Sequence, residues 1–143
     1  MDEDYDSPSS TPGDGCLERR VFLVDDDPGI RRTIARALST TGFLVRHFGG
    51  AQECLKEIVK KPCDLLITDI QMPGMDGVAL LRQVRHRLPS LPITVMSGDG
   101  GPETRSQAAS GGSAGFLEKP LGRDDLVDAV EKALRRHADA KKY

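Results

Sequence analysis

The sequence predicts an α/β fold: a doubly wound five-stranded parallel sheet with five helices. Three observations carry this. From about Leu17, short apolar runs alternate with segments of helical period. The runs are nearly continuous in apolar character, as strands covered on both faces should be. Three of them end on charge: Val21–Val24 leads into Asp25-Asp26-Asp27, Asp64–Thr68 into Asp69, and Ser113–Leu117 into Glu118-Lys119-Pro120. In an open parallel sheet, ligands bind at the carboxyl ends of the strands, so these charges fall where chemistry is expected.

At 143 residues, one domain is expected. We place it at 17–138, between an acidic tail, 1–16, and a short C-terminal tail, 139–143. The first tail is rich in Asp, Ser, Pro and Gly and should be disordered. It begins Met1-Asp2-Glu3-Asp4-Tyr5-Asp6 and has no apolar core, so it is not a secretory signal. No apolar stretch approaches the roughly 18 residues that span a membrane. Cys16, Cys54 and Cys63 are odd in number and lack metal-ligand spacing, which suits a reduced, cytoplasmic protein. Cys54 and Cys63 read as small buried hydrophobes. Residues 1–16 hold five acids and no Lys or Arg, which leaves 17 acids and 20 bases for the rest. That balance is too mild to argue for nucleic-acid binding. The basic C-terminus complements a helix dipole.

Strand one covers Arg20–Val24. Asp27 can cap the next helix, with Pro28 at its first position. Ile30, Ile34 and Leu38 give that helix an apolar stripe, and Gly42 ends the region. Strand two, Phe43–Phe48, alternates imperfectly and suits a place near the sheet edge. Helix two, Ala51–Lys60, should turn Leu55, Ile58 and Val59 inward. Pro62 precedes strand three, Asp64–Asp69. The turn-rich loop Gln71-Met72-Pro73-Gly74-Met75-Asp76-Gly77 follows. Helix three, Val78–Leu88, carries Leu81, Val84 and Leu88 on one face. Strand four is Ile93–Met96, followed by the loop Ser97-Gly98-Asp99-Gly100-Gly101. Helix four, Glu103–Ser110, has almost no large apolar residue and stops at Gly111-Gly112. We expect it to be mobile, because little burial means little local stability. Strand five is Ala114–Glu118. Helix five, Arg123–His137, starts with Asp124 and Asp125, ends with Arg135 and Arg136, and repeats Leu126, Val130 and Leu134. Right-handed crossovers and the flavodoxin-like strand order 2-1-3-4-5 would bring the ends of strands one, three, four and five together.

Asp69 ends an apolar strand ahead of a Pro-Gly turn. A carboxylate held there can attack phosphorus and form an aspartyl phosphate; as a lone Asp it could equally form a turn. Asp27 takes the capping role, which leaves Asp25 and Asp26 for other work. Crowded carboxylates repel unless a hard cation holds them, and Mg²⁺ takes carboxylates, backbone oxygen, water and phosphate. Asp26, Asp69 and a loop carbonyl would supply such a set. Lys119 would bind carboxylate or phosphoryl oxygen. A cis bond to Pro120 would turn it inward, and X-Pro bonds adopt cis far more readily than others. Ser97 offers a hydroxyl to the same oxygens.

The set Asp25-Asp26, Asp69 with Met72-Pro73-Gly74 and Asp76-Gly77, Ser97-Gly98, and Lys119-Pro120 resembles the receiver domain of two-component response regulators, over about residues 18–137. The resemblance implies that a sensor histidine kinase or a histidine phosphotransfer protein donates a phosphoryl group to Asp69. It implies that Asp26, Asp69 and the backbone carbonyl of Gln71 bind Mg²⁺, with Asp25 assisting through water. Ser97, Gly98 and Lys119 would meet the phosphoryl group. Phe116, three residues before the lysine, holds the family's aromatic switch position without a hydroxyl. Gln71 and Asp99 resemble positions that tune hydrolysis. The output would be a downstream protein that engages helix four, strand five and helix five. A phosphorylation-dependent homodimer through the same face is compatible with this. Such a chain is a phosphoacceptor, not a turnover enzyme, and contacts neither nucleic acid nor membrane.

Two other functions compete. An aspartate-nucleophile phosphatase of the haloacid dehalogenase type would need a second acid two residues after the nucleophile, where Gln71 stands. A nucleotide-binding module would need a glycine-rich phosphate loop after strand one, which is missing. As given, the chain is expected to act as a stand-alone receiver; the alternative is a receiver portion of a longer DNA-binding regulator.

Overall fold

The structure, a computed structural model, describes residues 5–6, 19–61, 63–70, 77–98, 101–113 and 115–141. Its strands are β1 (Tyr5–Asp6), β2 (Arg20–Val24), β3 (Leu44–Phe48), β4 (Leu65–Asp69), β5 (Ile93–Ser97) and β6 (Gly115–Glu118). Its helices are α1 (Pro28–Ser39), α2 (Ala51–Lys60), α3 (Gly77–Arg87), α4 (Pro102–Ser110) and α5 (Arg123–Lys141). The sheet order is β1-β3-β2-β4-β5-β6. The strands β2 to β6 pair in parallel, and counted alone they run 2-1-3-4-5 as expected.

Alternation along β2 shows how the layers form. Val21 and Leu23 face a core with Ile34, Ala35 and Leu38 of α1 and Leu126 and Val130 of α5. Phe22 and Val24 face the opposite core, with Ala51, Cys54 and Ile58 of α2 and Leu80, Leu81 and Val84 of α3. Successive strand residues point to opposite faces, so an all-apolar strand feeds both layers. The central strands β4 and β5 are buried throughout.

Asp27 caps α1: its Oδ1 accepts from the N–H groups of Gly29 at 2.8 Å and Ile30 at 3.1 Å. Gly42 closes that region with φ of +101°, a conformation that L side chains rarely adopt. Strand and helix ends fall within a residue or so of expectation, except that α5 continues past His137 to Lys141. Ala138 and Ala140 favour helix there, and no Gly or Pro stops it.

Three expectations need correction. Val59 is 43% exposed rather than inward. The buried face of α2 is Ala51, Cys54 and Ile58, with Leu55 half-buried, so Val59 falls past its margin. Ile30 is 37% exposed, because it sits one turn ahead of the buried stripe Ile34-Ala35-Leu38. Within the tail expected to be disordered, Tyr5–Asp6 pairs antiparallel with β3, Tyr5 opposite Arg46 and Asp6 opposite Val45. The free edge of β3 offers unpaired backbone groups to any extended segment nearby. The rest of residues 1–16 lies outside the described residues.

Candidate functional site

Parallel strands place their carboxyl ends along one edge, and the site is assembled there. Asp25 follows β2, and its N–H donates to the Phe48 carbonyl of β3 at 3.1 Å. Asp69 is the last residue of β4, opposite Met96 in the register. Lys119 follows β6, and its N–H donates to the Ser97 carbonyl at 2.8 Å. Thus Asp25, Asp69, Ser97 and Lys119 come from four strand ends.

The Lys119 ammonium bridges two carboxylates, 2.8 Å from Asp25 Oδ2 and 2.8 Å from Asp69 Oδ2. Asp25 is fully buried and Asp69 nearly so, while Asp26 is exposed at the rim. The other Asp25 oxygen accepts from the Asp27 N–H at 2.9 Å. Burial alone would pull the Lys119 pKa down. The hydrogen bonds and charges of Asp25 and Asp69 outweigh it, so the net shift is upward. The lysine stays charged at any ordinary pH.

Asp25, Asp26 and Asp69 each offer an oxygen within 4.8 Å of the others. Two oxygens on one Mg²⁺ stand roughly 3–4 Å apart, given bonds of about 2.1 Å. Small side-chain adjustments would bring the three into such a set, and carboxylates are the donor type that hard divalent cations take. The residues present therefore fit a cation of this kind.

Ser97 is fully buried at the end of β5. Gly98 is exposed, and a Cβ built on it would meet nothing within 4 Å, so no steric demand explains that glycine. The Lys119–Pro120 peptide is cis. Phe116 is half-buried against the α2–α3 core, and the Arg105 guanidinium carbon lies 4.5 Å from its ring centroid. Gln71, Met72-Pro73-Gly74, Asp76 and Asp99 lie outside the described residues.

Two residues near the site escaped the sequence argument. Arg31 donates from Nη1 to the Asp25 carbonyl at 2.9 Å and from Nε to His47 Nδ1 at 3.1 Å. This ties α1 and β3 to the loop that carries Asp25 and Asp26. The only hint in the chain is that Arg31 follows the cap by one helical turn, and its neighbour Arg32 looks much the same.

Known proteins are similar to this chain in sequence and fold. Residues 21–131 match the response regulator receiver domain family. The DNA-binding transcriptional regulator NtrC of Escherichia coli K12 is 37% identical over 119 residues, 83% of this chain and 25% of that protein. The chain thus spans about a quarter of the length of that relative. The receiver domain of NtrX from Brucella abortus is similar in structure, with a TM-score of 0.77 and 35% identity, covering 80% of this chain and 98% of that one. Chemotaxis protein CheY4 of Vibrio cholerae gives a TM-score of 0.79 and 26% identity, over 82% of this chain and 99% of that one. A match across most of the chain, joined to the sheet order, makes this protein a member of the response regulator receiver domain family.

Proposed function

We propose that this chain is the phosphoacceptor of a two-component phosphorelay, with Asp69 as the residue modified. A carboxylate oxygen of Asp69 attacks the phosphorus of a phosphohistidine on a sensor histidine kinase or histidine phosphotransfer protein. The P–O bond forms as the P–N bond breaks, and the imidazole leaves with the electron pair and takes up a proton. The product is an aspartyl phosphate.

The chain's own residues divide the work. Asp25, Asp26, Asp69 and the Gln71 carbonyl would hold Mg²⁺. That ion supplies screening of carboxylates from the incoming phosphoryl group and neutralises charge in transfer. Lys119 moves from carboxylate oxygen to phosphoryl oxygen, and Ser97 donates its hydroxyl to the same group. Gly98 leaves room beside it, and Phe116 responds on the α4–β6–α5 surface. Added charge at one point biases a two-state surface in this way. A downstream protein, not nucleic acid or membrane, reads that surface, and a homodimer through it is compatible with the same switch. A cytoplasmic location goes with these partners. Among the described residues, no helix is long and apolar enough to cross a membrane.

The observation that carries this proposal is the bridge from Lys119 to Asp25 and Asp69 beside the three-carboxylate cluster. No capping, turn or core role accounts for it. The length of NtrC relative to the match favours a receiver portion of a longer DNA-binding regulator as the second reading.

The test is incubation with Mg²⁺ and acetyl phosphate, followed by intact mass. One acid-stable, base-labile phosphoryl group is expected, absent from Asp69→Asn and absent when EDTA replaces Mg²⁺. An unmodified wild-type protein, or a modified Asp69→Asn protein, would overturn the assignment.

A further inference from the structure

Helix α4 is the least anchored helix of the sheet. Its buried residues are Thr104 and Ala108 alone, and it has no apolar stripe. Its C-terminal end is held. Arg85 donates from Nη2 to the Gly112 carbonyl at 2.8 Å, and Gly111 lies so close to Leu81 that a Cβ there would meet Cδ2 at 2.5 Å. Nearer its start, the helix also reaches the neighbouring strand. Arg105 sets its guanidinium over the Phe116 ring at 4.5 Å and places Nη2 3.6 Å from Glu118 Oε1. Phe116 and Glu118 are alternate residues of β6, so they share a face of the sheet. The next residue is Lys119, which holds Asp25 and Asp69.

We propose that Arg105 is a positioning residue: it clamps β6 to α4 through Phe116 and Glu118, and phosphorylation of Asp69 opens the clamp. This rests on the phosphoacceptor role proposed above. The Lys119 ammonium sits 2.8 Å from Asp69 Oδ2. Once that carboxylate carries a phosphoryl group, the ammonium follows the new charge. Its backbone moves with it, and Glu118 is adjacent. Both partners of the Arg105–Glu118 pair are about half exposed, so the pair is weak. Two weak contacts made by a single side chain open together, which suits a reversible device. With its other end pinned at Gly111 and Gly112, α4 then swings rather than detaches.

The test uses the full chain with 4-fluorophenylalanine at its phenylalanines, the Phe116 signal being assigned by Phe116→Leu. Arg105→Ala should shift the Phe116 fluorine resonance and speed amide exchange across residues 102–110. It should also raise the rate of phosphorylation by acetyl phosphate about two- to fivefold, the population shift that matches loss of one exposed cation–π contact. Arg105→Lys keeps the charge without the planar face and should fall between the two. Glu118→Gln should give the salt-sensitive part of the effect. Phosphorylation of the wild type should move the Phe116 resonance toward its position in Arg105→Ala. A change that merely destabilised the fold would not speed phosphorylation. A resonance unmoved by Arg105→Ala, or unmoved in phosphorylated wild type, overturns the clamp. If wild type takes up no phosphoryl group, the proposed function fails separately, and the Arg105→Ala resonance and exchange still decide whether the contact holds α4. Should Arg105→Ala not fold, Arg105→Lys and Glu118→Gln carry the same comparisons.

Discussion

Asp25 is fully buried, with one oxygen on the Asp27 N–H and the other on the Lys119 ammonium. Removing one member of a buried ion pair typically costs about 3–5 kcal/mol, since the other charge is left without compensation. Here the lysine side chain is 17% exposed, so water offsets part of that. Lys119→Ala should therefore lower stability in EDTA by about 2–3 kcal/mol, read from urea unfolding. The same change takes a positive charge away from three carboxylates, so a divalent cation should bind the variant more tightly. Added Mg²⁺ should then raise the melting temperature of Lys119→Ala more than that of wild type. Equal gains in the two proteins would count against a cation site beside Lys119. Asp69 and Lys119 stood out in the sequence because strand ends are few and each bore a charge. Arg31 did not, since nothing local separates an arginine that reaches a loop carbonyl from one that points to water.

The contrast between α1 and α4 shows what a helix needs to be held. α1 has a side-chain cap at Asp27 and a buried stripe of Ile34, Ala35 and Leu38. α4 begins at Gly101 without a side-chain cap bond and buries only Thr104 and Ala108. Amide exchange should accordingly be faster through residues 102–110 than through residues 126–134 of α5, where Leu126 and Val130 are buried. Equal protection in native-state exchange by mass spectrometry would show that α4 is anchored by more than these contacts. The sparse burial of α4 was legible in Ala108-Ala109-Ser110-Gly111-Gly112, because small residues bury little area even where they are covered, as Ala108 is. The exposure of Val59 was not. Helical period marks a broad apolar face, and the neighbour that packs on it decides where that face ends.

Across the molecule, two apolar layers close over the sheet, and one of them holds both described thiols. Cys54 and Cys63 are buried among Phe22, Ile58 and Leu66. Burial pushes both pKa values up from 9.0, that of Cys63 to about 12. The folded chain keeps these protons to higher pH than the unfolded chain does. Their contribution is complete below about pH 9 and is lost as pH climbs toward the folded values. Lys119 acts in the same direction, since its raised pKa favours the protonated folded form. Stability should therefore fall steadily above about pH 9, and less steeply in Cys54→Ala or Cys63→Ala. Urea midpoints measured against pH would check this, and a flat alkaline limb would contradict the burial of the thiols. The alternation of apolar runs and helical stripes was enough to specify the α/β class and which strand ends carry charge, because those properties arise from neighbours a few residues apart. The strand order 2-1-3-4-5 was expected as a common solution for such folds, and the pairing of β2 to β6 follows it. The sequence pointed away from Tyr5–Asp6 joining the edge of β3, was silent on Arg105 covering Phe116, and put Lys119 among carboxylates without fixing that it bridges Asp25 and Asp69, which lie 94 and 50 positions away. Such contacts depend on how whole elements stack, and no local pattern encodes the distance between side chains on separate elements.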